Sequence, residues 1–238
     1  MAGLYRHRFK LLLATLLGLI LGMPLLVDLL VDTAPTFGIA VAMSGGICVM
    51  IAAILVVSGT RGARWFAGAL LAPSLLIEAG AVFFWPDELL LLHFVLRIAF
   101  IAFILGAMLR EIFSTRQITI DTVCSSLCVY LLIGIVWENV YAILETAAPG
   151  SIVTVTRTQA ESPQLSWDPN LTQIFRTRYF SFATLTSVGY GDIIPGTKLA
   201  RMCAITEALV GQIYLLVMVS RLVGLHVSQT MPTPADST

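Results

Sequence analysis

A string of nine residues, Thr184–Asp192 (TLTSVGYGD), has the residue types and spacing for binding a bare cation through the backbone. Two glycines, Gly189 and Gly191, alternate in it with larger residues. Glycine adopts backbone angles that other L-residues avoid, so this alternation allows successive carbonyl groups to face one side. A row of carbonyl oxygens can replace the hydration shell of a cation. We therefore interpret the string as a cation site; the simpler alternative is a glycine-containing turn with Tyr190 as an interfacial aromatic residue.

The composition argues against an ordinary water-soluble domain. Of the 238 residues, 58% are hydrophobic and 12% are charged, and the mean hydropathy is +0.90. Soluble globular domains carry roughly 25% charged residues, about twice the fraction in this chain. The formal net charge is zero, so nothing in the charge favours a nucleic acid partner. We therefore expect the chain to lie in a lipid bilayer.

The elements that must position the string are long apolar runs. A membrane-spanning helix needs about 20 predominantly apolar residues. Runs of that length lie at about 11–31, 37–57, 65–85, 89–109, 122–145 and 199–224. The more polar stretch 146–198 contains the string, and a short re-entrant helix over about 172–185, starting at Asn170 or Thr172, precedes it. The pattern predicts an all-α membrane protein with six transmembrane helices and one re-entrant helix.

The positions of lysine and arginine predict the orientation of these helices, because cytoplasmic connections carry an excess of both. The connections on one side of the membrane contain Arg6, Arg8, Lys10, Arg61, Arg64, Arg110, Arg116 and Arg221. The opposite connections, 28–36 and 85–88, contain acids and no bases. Both termini are therefore predicted to be cytoplasmic. The exceptions lie in and just after the re-entrant stretch: Arg157, Arg176, Arg178, Lys198 and Arg201.

The string between two predicted spans resembles the signature of potassium channels that have a TVGYG-type selectivity filter. The resemblance covers mainly residues 120–224: an outer helix, a pore helix, the filter and an inner helix. It implies a homotetramer in the cell membrane that conducts K⁺ passively. It implies no enzyme activity, no nucleic acid partner and no cofactor other than permeant potassium ions. The implied filter residues are Thr186, Ser187, Val188, Gly189, Tyr190, Gly191 and Asp192, with K⁺ bound at oxygens of Ser187, Val188, Gly189 and Tyr190.

The chain departs from the pattern of that family at three places near the filter. Ser187 stands in place of the usual threonine, which keeps the hydroxyl and loses the methyl group. Ala183 stands where some members have an acid that braces the filter. Tyr179 and Phe180 stand where many members have paired tryptophans. These changes leave the rigidity and inactivation of the filter open, and they do not alter the expected ion.

Gly211 lies twenty positions after Gly191, inside the sixth predicted span, at the place of the family's inner-helix hinge. A glycine inside a helix is less favourable than alanine by about 1 kcal/mol, so it needs a reason. Bending at a gating hinge is one reason, and close packing at a seam between subunits of the tetramer is the other. The same alignment implies that the pore cavity is lined by Gln212, Leu215 and Val219.

Ionisable residues inside spans are expensive unless they are paired or hydrated. Glu78 and Arg97 lie at similar depths on the third and fourth predicted spans, and we expect them to form a buried pair. Glu207 is expected behind or below the filter; it either bonds to the re-entrant helix, carries a proton, or forms a hydrogen bond at a helix seam. Arg97 is the only lysine or arginine between Leu89 and Leu109, so helices one to four lack the charge of a voltage sensor.

These interpretations divide the chain into a peripheral four-helix module (1–116), a pore module (117–226) and a disordered cytoplasmic tail (227–238). The expected function is a potassium channel without steep voltage gating. The alternatives are a voltage-gated potassium channel, a secondary transporter built from broken helices, and a non-conducting subunit that modifies a partner channel. A transporter would show paired broken segments in two related halves, and only one such segment occurs here.

Overall fold

The computed structural model describes residues 8–22, 24–26, 68, 69, 72, 87–115, 119–155 and 169–230, and most of these are helical. Two short strands pair antiparallel, with Val153 opposite Ile194. The helices and strands in chain order are α1 (Arg8–Leu17, continued by a π-helical turn, Gly18–Gly22), α2 (Asp87–Ser114), α3 (Ile120–Ala147), β1 (Ile152–Thr154), α4 (Pro169–Leu185), β2 (Ile193–Pro195) and α5 (Lys198–Thr230).

Three of the described helices are long and apolar enough to cross a membrane: Leu91–Ser114, Ile120–Ala147 and Lys198–Val227. They confirm the helices predicted at 89–109, 122–145 and 199–224. Of the first predicted span, the described helical part is Arg8–Gly22, and the second and third spans lie outside the described residues. Helix α5 continues to Thr230, so it extends four residues into the segment predicted as a tail.

The first hydrophobic cluster joins α1 and α2 to α3. Leu12 and Leu16 of α1, Ile104 of α2 and Leu132 of α3 are each at most 1% exposed and pack together. Burying such side chains contributes about 1.5–3 kcal/mol each. The start of α3 is fixed locally, because the Thr119 hydroxyl accepts a hydrogen bond from the Thr122 N–H at 3.3 Å. Helix α1 is therefore packed onto α3.

The second cluster and a glycine seat α4 against α3. The rings of Tyr141 (α3) and Phe180 (α4) meet edge to face with centroids 4.8 Å apart, and Ile152 of β1 packs beside them. On the same side of α3, a Cβ on Gly134 would lie 2.7 Å from the Phe182 ring. Only a residue without a side chain permits this approach, so Gly134 allows α4 to lie close to α3.

A buried ion pair also ties α4 to α3. Arg178 Nε and Nη2 each donate to one carboxylate oxygen of Glu138 at 2.9 Å, and the two side chains are 7% and 6% exposed. Arg178 Nη1 also donates to the carbonyl of Leu19 at 3.3 Å, which brings in the end of α1. Two parallel bonds of this kind are the strongest form of side-chain pairing. Arg178 therefore joins three helices.

Two other arginines that were exceptions to the predicted cytoplasmic excess of lysine and arginine bond to the short strands between the helices. Arg176 Nη2 donates to the carbonyl of Ile152 at 2.6 Å, and Arg201 Nε donates to the carbonyl of Pro195 at 3.2 Å. Each therefore anchors one strand of the small sheet to a neighbouring helix. Together with the pairing of Arg178, these bonds give three of the five exceptional basic residues structural partners.

Removing one member of the Glu138–Arg178 pair should destabilise the protein. Glu138→Gln leaves a buried guanidinium without its counter-charge, and we expect a loss of about 3–5 kcal/mol. The double variant Glu138→Gln with Arg178→Met should lose less than the sum of the single variants, because it strands no charge. Chemical denaturation of the detergent-solubilised protein measures each free energy of unfolding.

The matched control is the ion pair between Arg8 and Glu111, whose side chains are 22% and 41% exposed. Its solvent access limits the expected effect of Glu111→Gln to about 0–1 kcal/mol. Strictly additive losses at Glu138 and Arg178 would show that the two groups are not coupled.

Candidate ion-conducting site

Helix α4 leads directly into the predicted filter, Thr186–Asp192. The last turn of α4 continues through Thr186, whose N–H donates to the carbonyl of Phe182 at 3.1 Å, and Ser187, whose N–H donates to that of Thr184 at 2.9 Å. All the residues of the loop are exposed in the single subunit. The loop is therefore held by the end of the re-entrant helix that the sequence predicts.

The carbonyl of Ala183 fixes the direction of two peptide groups in the loop. It accepts hydrogen bonds from the N–H groups of Val188 at 3.0 Å and Gly189 at 3.1 Å. In a planar trans peptide the C=O points opposite to the N–H of the next residue. The carbonyls of Ser187 and Val188 therefore both point away from α4. Two successive carbonyl oxygens on one side are what a backbone cation site needs.

Alternate residues of the loop have left-handed backbone angles. The φ angles of Ser187, Gly189 and Gly191 are 58°, 52° and 80°. Glycine adopts such angles without a steric penalty, which agrees with the reason for singling out Gly189 and Gly191. Ser187 shares the conformation, although a non-glycine residue there is uncommon. That these carbonyls bind ions stays a prediction.

The outer end of the loop is braced by Tyr179 of α4. Its hydroxyl donates to Asp192 Oδ2 at 3.0 Å, and its ring stacks on that of Tyr190 with centroids 6.3 Å apart. The sequence analysis noted this tyrosine only as a replacement for tryptophan. The replacement itself could have indicated this role, because tyrosine and tryptophan both carry a hydrogen-bond donor on their rings.

The inner end of the loop meets α5. Gln212 Nε2 donates to the Ser187 hydroxyl at 3.0 Å, so the structure brings this predicted cavity residue to the predicted filter. Leu215 and Val219, the other two, lie further along α5 and are exposed in the single subunit. Whether these three line a cavity is not tested by one subunit. The pair predicted between Glu78 and Arg97 is also untested, because Glu78 lies outside the described residues.

Gly211 makes a close approach at the same level. A Cβ there would lie 2.7 Å from the carbonyl oxygen of Leu185 and 2.8 Å from its Cδ1. The Leu185 carbonyl also accepts a hydrogen bond from the Tyr130 hydroxyl at 3.2 Å. This contact lies within one subunit, so it gives a packing reason for a glycine at position 211 that differs from the tetramer seam expected from the sequence. The hinge role stays a prediction, and the two roles are compatible.

Glu207, which the sequence places behind or below the filter, is completely buried. Its carboxyl group contacts the hydroxyls of Ser181 on α4 and Tyr141 on α3, each at 2.6 Å. The bond to the re-entrant helix was one of the arrangements expected from the sequence. The contact with Tyr141 was not foreseen, because it depends on how α3 is rotated about its axis.

Gly211→Ala should displace the end of α4, because the new methyl group would meet backbone rather than a flexible side chain. Overpacking of this kind costs about 1–3 kcal/mol. The midpoint temperature of thermal unfolding of the purified protein should decrease, and so should the ion flux through the protein in vesicles. The matched control is Gly224→Ala on the same helix, where a Cβ would meet nothing within 4 Å. If the two variants behave alike, the Leu185 contact is not restrictive and hinge bending remains the reason for Gly211.

Residues 127–226 match the family model described as ion channel. The match begins on α3, includes α4 and the loop, and ends on α5. No curated protein and no solved structure matches the chain significantly. The matched residues include the buried contacts of α4 and the oriented peptides of the loop. This part of the chain is therefore similar to an ion-channel domain, and the described residues include three helices that are long and apolar enough to cross a membrane.

Proposed function

We propose that this protein is a potassium-selective channel that conducts K⁺ passively through a filter formed by Thr186–Asp192. The observation that carries the proposal is the pair of N–H groups bound by the Ala183 carbonyl, which leaves the Ser187 and Val188 carbonyls facing the same way. Rings of carbonyl oxygens that replace the hydration shell are the basis of potassium selectivity. In this proposal K⁺ binds at oxygens of Ser187, Val188, Gly189 and Tyr190.

The exposure of the loop supports assembly into a homotetramer. Tyr190 is 74% exposed and Val188 is 52% exposed in one subunit. Non-helical backbone at membrane depth is tolerated only when protein buries it or when it lines a water-filled cavity. One loop cannot enclose an ion, whereas four copies around an axis would cover these side chains and close a ring of oxygens. The bare faces of α5, whose span is only 17% buried, leave room for such neighbours.

The electrostatics around the loop favour a cation. Helix α4 ends at Leu185, so the negative end of its dipole lies at the start of the loop. Asp192 adds a carboxylate at the other end of the loop. Arg178, a basic residue in the middle of α4, is neutralised by Glu138. The charge distribution of the basic connections supports a cell-membrane protein with both termini cytoplasmic.

Gly189→Ala should abolish potassium conduction or its selectivity over sodium while leaving membrane insertion intact. Its φ of 52° is unfavourable for an L-residue, so the substitution strains this conformation and favours rotation of the peptide, which would turn its carbonyl out of the row. Purified protein in vesicles loaded with K⁺ or Na⁺ gives both fluxes. Gly106→Ala on α2, where a Cβ meets nothing within 4 Å, is the matched control and should conduct normally. Normal selectivity in Gly189→Ala would remove the loop from the mechanism.

Opening should depend only weakly on voltage. A steep gate moves some 3–4 charges in each of four subunits, and each charge contributes about 2.3 kcal/mol per 100 mV. Arg97, the only lysine or arginine between Leu89 and Leu109, would give at most four charges per tetramer, or about 9 kcal/mol per 100 mV. Helix α2 also buries Phe100 and Ile104 against its neighbours, which opposes sliding.

Recordings of open probability between strongly negative and strongly positive potentials measure this dependence. The expected curve is shallow, and Arg97→Gln should make it shallower still. A steep sigmoid worth several charges per subunit would instead favour the voltage-gated alternative.

A further inference from the structure

The carboxyl group of Glu207 lies in a small buried network that joins three helices. Its Oε2 is 2.6 Å from the Tyr141 hydroxyl on α3, and its Oε1 is 2.6 Å from the Ser181 hydroxyl on α4. The Ser181 hydroxyl is in turn 2.8 Å from the carbonyl oxygen of Gly134 on α3. Glu207, Ser181 and Tyr141 are all 0% exposed. Three short oxygen–oxygen contacts therefore connect four oxygen-bearing groups away from solvent.

The number of hydrogens needed by these contacts is informative. Each close contact between two oxygens needs one hydrogen, because two lone pairs at that distance repel. Tyr141 and Ser181 supply one hydroxyl hydrogen each. With an ionised Glu207 the three contacts would share two hydrogens, and Ser181 would have to bond both Glu207 and Gly134. A hydrogen on Glu207 Oε1 completes the set: Tyr141 donates to Oε2, Oε1–H donates to Ser181, and Ser181 donates to Gly134.

The charged groups nearby offer no substitute for that hydrogen. Arg178 lies three residues before Ser181 on α4, but its Nε and Nη2 donate to Glu138 and its Nη1 donates to the Leu19 carbonyl. Cys203, one turn earlier on α5, carries no positive charge. Among the residues that the structure describes, no lysine or arginine lies within ion-pair distance of Glu207. Because Glu207 is already completely buried within one subunit, a side chain of a neighbouring subunit cannot reach it.

We propose that Glu207 is held as a neutral carboxylic acid and is a positioning residue for the filter. Ser181, which it holds, lies two residues before Ala183, whose carbonyl orients the Val188 and Gly189 peptides. The acid therefore acts through α4 and does not touch the ion. The positioning role rests on the proposed function of the loop, whereas the protonation of Glu207 does not.

Glutamine distinguishes a neutral acid from a carboxylate at this position. Its amide N–H can donate to Ser181 and its carbonyl can accept from Tyr141, so Glu207→Gln reproduces the neutral acid. Leucine fills similar space and makes neither bond. A role that needs negative charge behind the filter would be lost in both variants, and a role in packing alone would be kept in both.

The first test is infrared spectroscopy of the wild-type protein and Glu207→Gln in lipid at neutral pH. We expect the absorption of a protonated carboxyl C=O in the wild type and its absence from the variant. No difference in that region would show that Glu207 is ionised and would overturn the proposal. This measurement requires no conduction, so a wild type that shows the band but passes no K⁺ would refute the proposed function and leave the protonation standing.

The second test is the ratio of K⁺ to Na⁺ flux in vesicles for the Gln, Leu and Tyr141→Phe variants. Glu207→Gln should keep the wild-type ratio, Glu207→Leu should lose it, and Tyr141→Phe should lower it, since one donor is missing. If Glu207→Leu does not fold, the ratio in Tyr141→Phe still decides. A wild-type ratio in Glu207→Leu or Tyr141→Phe, or a lost ratio in Glu207→Gln, would overturn the positioning role.

Discussion

The carbonyl of Ala183 makes the interaction on which the rest of this site depends. Inside a membrane every backbone polar group must find a partner, and non-helical backbone rarely has one. Here the last turn of α4 supplies an acceptor for two N–H groups of the loop, Val188 and Gly189. Both N–H groups point toward Ala183. The Ser187 and Val188 carbonyls, which belong to the same two peptide groups, therefore point away from Ala183. The helix end thereby converts a loop into a row of acceptors.

That arrangement works only if α4 itself cannot shift, and the surrounding structure fixes it at several levels. Gly134 on α3 and Gly211 on α5 have no side chain where α4 passes, so both helices approach it closely. The buried pair of Arg178 with Glu138 sets the register of α4 against α3. In lipid there is little hydrophobic driving force between helices, and they associate largely through close packing at small residues such as glycine. The glycines and the ion pair therefore serve the same purpose as the brace from Tyr179.

The sequence predicted three long helices and the short helix before the loop, because these features depend on local pattern. Apolar runs predicted α2, α3 and α5 to within a few residues, and the re-entrant helix, expected from Asn170 or Thr172, begins at Pro169. The side-chain partners were not predictable in the same way. Glu138 lies inside a predicted span and was therefore expected to need a partner or water. A helix that is apolar all round does not reveal which face meets which neighbour, so Arg178 could not be identified as that partner. The positive φ of Ser187 had none either, because serine rarely adopts it.

Pairing of charges matters to an ion-conducting site beyond its effect on folding. Arg178 lies eight residues before Thr186, which corresponds to about 12 Å along a helix at 1.5 Å per residue. At an effective dielectric constant of about 20, an unpaired guanidinium at that distance would repel a monovalent cation by about 1.4 kcal/mol, a tenfold change in occupancy. Glu138 places an opposite charge within 2.9 Å of it, so the pair acts on the ion only as a dipole. Arg178, which binds α4 to α3, is thus compatible with a cation beside α4, because Glu138 is buried next to it and neutralises its charge.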